Sequence, residues 1–549
     1  MVNNKFMLKF LEKIIDKIEN SPTSFCLWSV SFLSIIATRV LMENWLSGMV
    51  NKTGDYFFHH FSYTLVFFLL SYVIFVLFLM KFLKINLKKI SNVILWGYLI
   101  IILPPLIDFV MLQDKYYLSF YGIYGLAEIP KRFITFFGDS PDFGITYGVR
   151  FEIAFTVLAL LVYGYIKTKS KIKALSLGII SYAILFFLGT FPSWFTIITQ
   201  GFKKGFLKIG EIEITQLFFT SAKFFSRNTG TYLNALSIKL SIVYAVLLSI
   251  VISAALFFYY RKELIAFLKN SRPVQLIYHI GLLAIGMLMG IFFTKIDWDF
   301  NIFNFFALMA VATAVVCAWL ASVVVNDIYD KKIDAVTNQY RPLVVGIFSE
   351  KNYIIIGAVL FAVSIFFSAM VNPKAAFLLI AYQGLAFLYS AWPFRLKRFL
   401  GVATLVSSLA SLLVLFIGFI LVVPEENLSN IPARIVWLLG IALIFSLPIK
   451  DLKDIKGDKL EEVKTVPVVF GEYWGKMIIG SGIFLAYVFS VILANEFQLM
   501  FWALLFGGAS FWILNLSNQN KKITNRNLIW WVMGILFLYF LIVIVTLAG

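Results

Sequence analysis

Three carboxylates, Asp327, Asp330 and Asp334, end a long apolar run in the stretch Asn326-Asp327-Ile328-Tyr329-Asp330-Lys331-Lys332-Ile333-Asp334. Spacings of three and then four residues put them on one face of a helix. The same spacing returns at Asp451, Asp454 and Asp458, again where an apolar run gives way to a charged one. Carboxylate oxygens bind hard divalent cations, Mg2+ above all, and such ions keep positions open for phosphate oxygens. Acids alone would repel an anion, so the metal is the necessary bridge. Cationic residues stand close by in sequence: Lys331, Lys332 and Arg341 after the first set, Arg395, Lys397 and Arg398 in a short loop, Lys450 and Lys453 around the second. Acids for metal and bases for phosphate describe a diphosphate site. One acidic motif at a span end would more often be a solvated, ion-paired boundary. Two with the same spacing at one membrane face are poorly explained that way.

The elements that must position these residues follow from composition. Of 549 residues, 61% are hydrophobic, 18% aromatic and only 14% charged, which excludes a water-soluble globule. Apolar runs of roughly 17–25 residues, the length a helix needs to cross the bilayer, predict an all-α polytopic membrane protein rather than an outer-membrane barrel. The net charge of +18 resides mainly in short loops between spans, where it sets topology, and no nucleic-acid partner is expected. Cys26 and Cys317 both lie in apolar runs and read as inert packing residues.

Along the chain, residues 1–22 place Phe6, Phe10, Ile14 and Ile18 on one stripe with lysines between, an amphipathic helix at the membrane surface. Six spans follow within 23–265, at 25–42, 60–80, 91–113, 150–167, 174–191 and 236–260. Lysine-rich loops at 81–90, 167–173 and 261–272 should face the cytoplasm. Two long external connections, 114–149 and 192–235, are of a length that is usually functional or carries short helices. The first holds Asp139, Asp142 and Arg150; Asp108, beside Pro104-Pro105, reads as hydrated near the outer interface. His59-His60 lack a third metal ligand, and helix neighbours point about 100° apart.

Beyond Ser271-Arg272-Pro273 the spans resume at 275–294, 301–325, 352–371, 374–389, 401–423, 431–449, 474–494, 498–517 and 528–548. The total is about fifteen. Counting sides from a cytoplasmic start puts both acidic motifs and the loop 394–398 on the cytoplasmic face. Tyr389, Trp392 and Phe394 add aromatic faces near the polar rim, suited to a passing carbocation.

The chain from about 270 to 549 resembles the UbiA superfamily of intramembrane prenyltransferases. NDIYDKKID matches its NDxxDxxxD pattern, TNQYRPLVVG (337–346) its N-x-x-R-P-L segment, YSAWPFRLKR (389–398) its YSxxPxRLKR-like loop, and DLKDIKGDKLEEVKTVPVVFG (451–471) its DxxDxxGD followed by K-T-x-P. Val344-Val345-Gly346 departs from the Pro-Ser-Gly-like turn of many relatives. No family motif is recognised in the first 260 residues.

The resemblance implies a nine-span helical bundle with a central cavity in 270–549 and transfer of an isoprenyl group from a polyprenyl diphosphate to a lipophilic acceptor. Asn326, Asp327, Asp330 and Asp334 would form the first Mg2+–diphosphate site and Asp451, Asp454 and Asp458 the second. Asp330, Asp334, Asp454 and Asp458 would be central to catalysis, with Arg341, Lys397 and Lys450 as direct diphosphate contacts and Arg395 and Tyr389 beside them. Metal and cations would stabilise the departing diphosphate, and the dry cavity would protect the allylic cation from water. Lys331 and Lys332 point away from the acidic face, toward headgroups or solvent. Arg272 is a candidate for the cytoplasmic entrance. The first expectation for the acceptor is a quinone-type aromatic precursor, with a glycerol-phosphate lipid, a sugar phosphate or a porphyrin-type acceptor also open. A terpene cyclase is an alternative, as is a non-catalytic protein that binds or transports a polyprenyl phosphate. The expected setting is an integral protein of a prokaryotic cell membrane, among membrane lipids, with the six-span region handling lipid or presenting the acceptor.

Overall fold

A computed structural model describes residues 2–46, 54–112, 126–138, 145–221, 223–225, 227–228, 232–295, 301–453, 455–460, 462–516 and 525–548. The chain divides into two compact units, Met1–Lys223 with Asn228–Tyr259, and Phe224–Arg227 with Tyr260–Gly549. Among the described residues the regular structure is helical apart from a short strand pair, Lys223–Phe224 and Arg227–Asn228. Thirteen helical segments among the described residues are long and apolar enough to cross a membrane. The two other expected spans are also helices, Pro373–Ser390 and Asn525–Ala548.

The first unit begins with α1 (Val2–Glu19), α2 (Phe25–Leu46) and α3 (Gly54–Leu83). The expected span at 91–113 is interrupted: α4 (Leu87–Gly97) and α5 (Leu103–Leu112) are joined by a 3-10 turn, Tyr98–Ile102. The prolines at 104 and 105 lack the N–H that would continue the ladder, and they sit where a new helix starts. Then come α6 (Ile129–Ile134), α7 (Tyr147–Thr168), α8 (Lys171–Gly189), α9 (Phe191–Lys204), α10 (Glu211–Phe219) and α11 (Tyr232–Tyr259). The connection 192–235 thus carries helices of its own. The unit's core is aromatic and hydrogen-bonded: Trp28 Nε1 donates to the Tyr72 hydroxyl at 2.7 Å, and Tyr72 donates to Ser91 O at 2.8 Å. These bonds satisfy the polar tips of rings whose bodies fill the core.

α1 is pinned to this unit by its polar side. Glu19 is buried and accepts from the Tyr163 hydroxyl at 2.8 Å, and Lys167 pairs with both Glu19 (2.8 Å) and Asp16 (3.2 Å). Phe6, Met7, Phe10 and Ile14 point outward, exposed.

The second unit comprises α12 (Arg261–Asn270), α13 (Pro273–Thr294), α14 (Ile302–Tyr329), α15 (Lys331–Thr337), α16 (Glu350–Val371), α17 (Pro373–Ser390), α18 (Val402–Val422), α19 (Ala433–Ser446), α20 (Ile455–Leu460), α21 (Val466–Ala494), α22 (Met500–Leu516) and α23 (Asn525–Ala548). Local sequence explains several starts. Asn301 accepts from the Phe303 and Asn304 amides to begin α14, Ser349 caps α16, and Asn372 followed by Pro373 begins α17. Close packing follows from small residues. A Cβ on Gly286 of α13 would lie 2.0 Å from Leu415 O of α18, and one on Gly418 of α18 would lie 2.0 Å from Leu283 O. The two helices cross backbone to backbone, and only glycine fits at either point.

Candidate active site

The first acidic motif straddles the junction of α14 and α15. Asp330 ends α14, its N–H donating to Asn326 O at 2.9 Å, and Asp334 N donates to Asp330 O at 2.8 Å, so the ladder runs on through the bend. All three carboxylates are buried, with Asp327 1%, Asp330 3% and Asp334 1% exposed. Buried charge requires pairing, and each is paired.

Asp330 faces the loop after α17. It accepts from Lys397 Nζ at 2.5 Å, Arg395 Nη2 at 3.1 Å and Asn326 Nδ2 at 2.8 Å. The loop is aimed by its backbone: Arg395 sits at φ +41°, the left-handed region that non-glycine residues rarely adopt, with its N–H on Ala391 O at 2.7 Å. Arg398 stacks over the Trp392 ring at 4.6 Å and holds the loop's outer side.

Asp334 and Asp327 share Arg341. Its Nη1 contacts Asp327 Oδ1 and lies 2.8 Å from Asp334 Oδ2. Asp334 also accepts from Asn338 Nδ2 at 3.0 Å. Burial pushes the Asp334 carboxyl up to about 6, against the lowering effect of Arg341. Asp327, expected among the metal ligands, is engaged by protein at both oxygens, as Asp330 is. Its Oδ2 accepts from Asn270 Nδ2 at 2.5 Å and from the Tyr353 hydroxyl at 2.8 Å, while Arg341 takes Oδ1. With both oxygens engaged by protein, it anchors Arg341.

The second motif does not lie on one regular helix. Asp451 falls in a 3-10 segment, Leu447–Lys453, and Asp458 in α20; Asp454 lies outside the described residues. Asp451 and Asp458 are half-buried, and Thr465 Oγ1 donates to Asp458 Oδ2 at 3.3 Å. α20 packs against α15, which brings the two motifs side by side. The basic loop joins them, since Lys464 N donates to Arg398 O at 3.2 Å.

Lys450, expected on the diphosphate, lies within electrostatic reach of Asp451 and Asp458 and is hydrogen-bonded to a hydroxyl. Its Nζ donates to Ser407 Oγ at 3.2 Å and lies 5.8 Å from the centre of the Tyr389 ring. Lys331 pairs with Glu350 at 2.8 Å, and Lys332, Trp392 and Phe394 are exposed. Sequence reasoning missed Asn270 and Tyr353, and gave Arg272 no partner. Arg272 Nη2 donates to Asn326 Oδ1 at 2.9 Å. The polar run Asn270-Ser271-Arg272 at a span start was the available signal.

The donor chemistry fits a hard divalent cation. Asn326, Asp330 and Asp334 supply oxygen ligands only, and Asp334 Oδ2 accepts no well-directed hydrogen bond despite its contact with Arg341. Arg341, Arg395 and Lys397 occupy these oxygens as counter-charges that a metal ion could replace.

In the first unit the expected candidates are structural. Asp108 accepts from Thr146 Oγ1 at 2.6 Å and Gly148 N at 2.7 Å, holding the start of α7. His60 faces Glu43 at 3.4 Å. Arg150 Nε donates to Ile145 O at 3.4 Å. Asp139 and Asp142 lie outside the described residues. Cys26 and Cys317 are both free thiols.

Residues 283–541 match the UbiA prenyltransferase family, and the C-terminal half of the chain is UbiA-like. Among curated relatives, digeranylgeranylglyceryl phosphate synthase of Methanopyrus kandleri is 28% identical over 232 residues, 42% of this chain and 76% of that protein. A second relative, 4-hydroxybenzoate octaprenyltransferase of Vibrio atlanticus, is 28% identical over 217 residues, 38% of this chain and 72% of that one. Among solved structures, a UbiA homologue from Archaeoglobus fulgidus bound to GPP and Mg2+ shares 17% identity, with 52% of this chain and 100% of that one covered and a TM-score of 0.39. The family match and the two curated relatives support a prenyltransferase in the second unit.

Proposed function

We propose that the second unit transfers an isoprenyl group from a polyprenyl diphosphate to an amphiphilic acceptor within the membrane, with Mg2+ held by Asn326, Asp330, Asp334 and the second motif. The observation that carries this reading is the buried set in which Asp330 faces Arg395 and Lys397 while Asp334 faces Arg341. Carboxylates and cations gathered at one point form a site that can exchange its internal ion pairs for a metal–diphosphate complex.

When bound, Mg2+ supplies Lewis-acid stabilisation of the charge on the leaving diphosphate. Arg341, Arg395 and Lys397, released from the carboxylates, turn to the diphosphate oxygens and favour ionisation of the allylic C–O bond. Asp327, fixed by Asn270 and Tyr353, keeps Arg341 within reach of both positions. The apolar bundle excludes water that would otherwise capture the allylic cation. The acceptor then attacks that carbon.

For the acceptor, the name of the Methanopyrus relative supports a glyceryl phosphate lipid. The quinone-type aromatic precursor expected from sequence is the second reading, supported by the name of the Vibrio relative. The positive-inside bias of the basic loops supports a cytoplasmic position for both motifs.

The test incubates the purified full-length protein in lipid nanodiscs with Mg2+, a series of prenyl diphosphates, and either a singly prenylated glyceryl phosphate or 4-hydroxybenzoate. The expected result by mass spectrometry is a doubly prenylated glyceryl phosphate. Release of a cyclic terpene without acceptor would make the protein a cyclase, and an intact donor after prolonged incubation would make it a binding or transport protein.

A further inference from the structure

The cations of the site differ in their partners. Arg341, Arg395 and Lys397 each contact a carboxylate of the first motif. Lys450 has no carboxylate within ion-pair distance among the described residues. Its ammonium group is held instead by the Ser407 hydroxyl and faces the Tyr389 ring. A half-buried ammonium at the end of a membrane span, hydrogen-bonded to a hydroxyl and with Asp451 and Asp458 acting on it only beyond ion-pair distance, is costly, and such residues mark ligand positions.

The surroundings are built from hydroxyls. Ser411 stands one turn from Ser407 on α18, its Oγ donating to Ser407 O at 2.9 Å, and the Tyr278 hydroxyl of α13 donates to Ser411 Oγ at 3.0 Å. One turn is about 6 Å, so a lysine, two serines and a tyrosine from three elements form one polar wall. Lys450, Ser407 and Tyr278 are half-buried, so the wall is reachable rather than sealed. An ammonium with hydroxyl donors matches a phosphate monoester: one point charge and several hydrogen bonds to non-bridging oxygens. The wall borders the diphosphate cluster, because Asp451 and Asp458 of the second motif, and Arg272, bonded to Asn326, all lie within electrostatic reach of Lys450.

We propose that Lys450 and Ser407, backed by Ser411 and Tyr278, form an anion subsite that binds the phosphate of the acceptor, separate from the cations that receive the donor diphosphate. The inference rests on the prenyl-transfer reading and sharpens it, since it selects a phosphorylated acceptor over an uncharged one. Fixing the acceptor's phosphate here would bring its free hydroxyl toward the donor's allylic carbon. There the hydroxyl oxygen forms the new C–O bond, the donor C–O bond breaks, and the hydroxyl proton leaves with the diphosphate.

The test compares two acceptors on the full-length protein, a singly prenylated glyceryl phosphate and the same lipid without its phosphate. In the Lys450→Met variant the wild-type preference for the phosphorylated acceptor, read as the ratio of kcat/KM values, should fall about tenfold or more, the scale of a charge-assisted hydrogen bond. The loss should appear in acceptor KM, the donor KM should stay within about twofold, and Lys450→Arg should recover most of the preference. Lys374→Met, at an exposed lysine bonded to Glu425 O, serves as the unchanged control. A parallel rise in donor KM would assign Lys450 to the diphosphate and overturn the subsite, as would an unaltered preference. A wild-type protein that cleaves no prenyl diphosphate would instead remove the prenyl-transfer reading on which the subsite stands.

Discussion

Lys397 Nζ lies 2.5 Å from Asp330 Oδ2, and the two residues are 67 apart in sequence. The contact ties the first acidic motif to the loop after α17 and sets charge against charge where a diphosphate would need both. Replacing Lys397 with Met removes one proposed diphosphate contact and leaves Asp330 to Arg395 and Asn326. The expected outcome is a fall in prenyl transfer of about 100-fold or more. Steady-state rates on folded, membrane-inserted protein check it, and a change below about threefold would contradict the assigned role.

Asp334 gives a pH dependence with a definite sign. Burial raises its carboxyl to about 6, so below that pH it is protonated and cannot ligate a metal, and above it the charged form is free to do so. Proton competition at a single site predicts Mg2+ affinity about fourfold weaker at pH 5.5 than at pH 7.5. Calorimetric Mg2+ titration at the two values measures this, and Asp334→Asn should weaken binding and flatten the dependence. Affinity that strengthens on acidification would be the wrong sign.

How much of this was legible in the sequence depends on the range of the interaction. Asn326 to Asp334 could be read because a helix repeats every few residues, so spacing alone gathers the carboxylates. The spans were legible for a similar reason, since length and apolarity are local properties. Asn270 and Tyr353 were not, because they meet Asp327 across 57 and 26 residues and owe their positions to tertiary packing. Asp327 was read as a metal ligand by its spacing, and its contacts with those partners and with Arg341 are what the spacing could not supply. The second motif shows the limit of periodicity. Asp451 and Asp458 have helical spacing but lie in a 3-10 segment and a short helix.

The glycine crossing of α13 and α18 should be intolerant of any side chain. Gly418→Ala would drive a Cβ to 2.0 Å from Leu283 O, whereas Gly508, where a Cβ would meet no atom within 4 Å, should accept alanine. Overpacking predicts a loss of about 1–3 kcal/mol at Gly418. Thermal midpoints in one detergent compare the variants, and equal midpoints would mean the helices separate freely.

For α1, the outward apolar stripe and the polar contacts to Lys167 and Tyr163 fit a helix lying in the lipid headgroup region. A Phe10→Trp reporter should be quenched by lipids brominated near the headgroup more than by those brominated near the chain ends. Quenching by neither would place the stripe in water or against protein.

The central claim is that two acidic motifs jointly hold a Mg2+–diphosphate complex that is cleaved. Its most direct measurement is diphosphate release from a prenyl diphosphate by the wild type, by Asp330→Ala and by Asp458→Ala, each with Mg2+ and with chelator. The account predicts release by the wild type with Mg2+ alone, and a loss of about 100-fold or more in each variant while the protein stays folded. Undiminished release by either variant, or by the wild type in chelator, would contradict it.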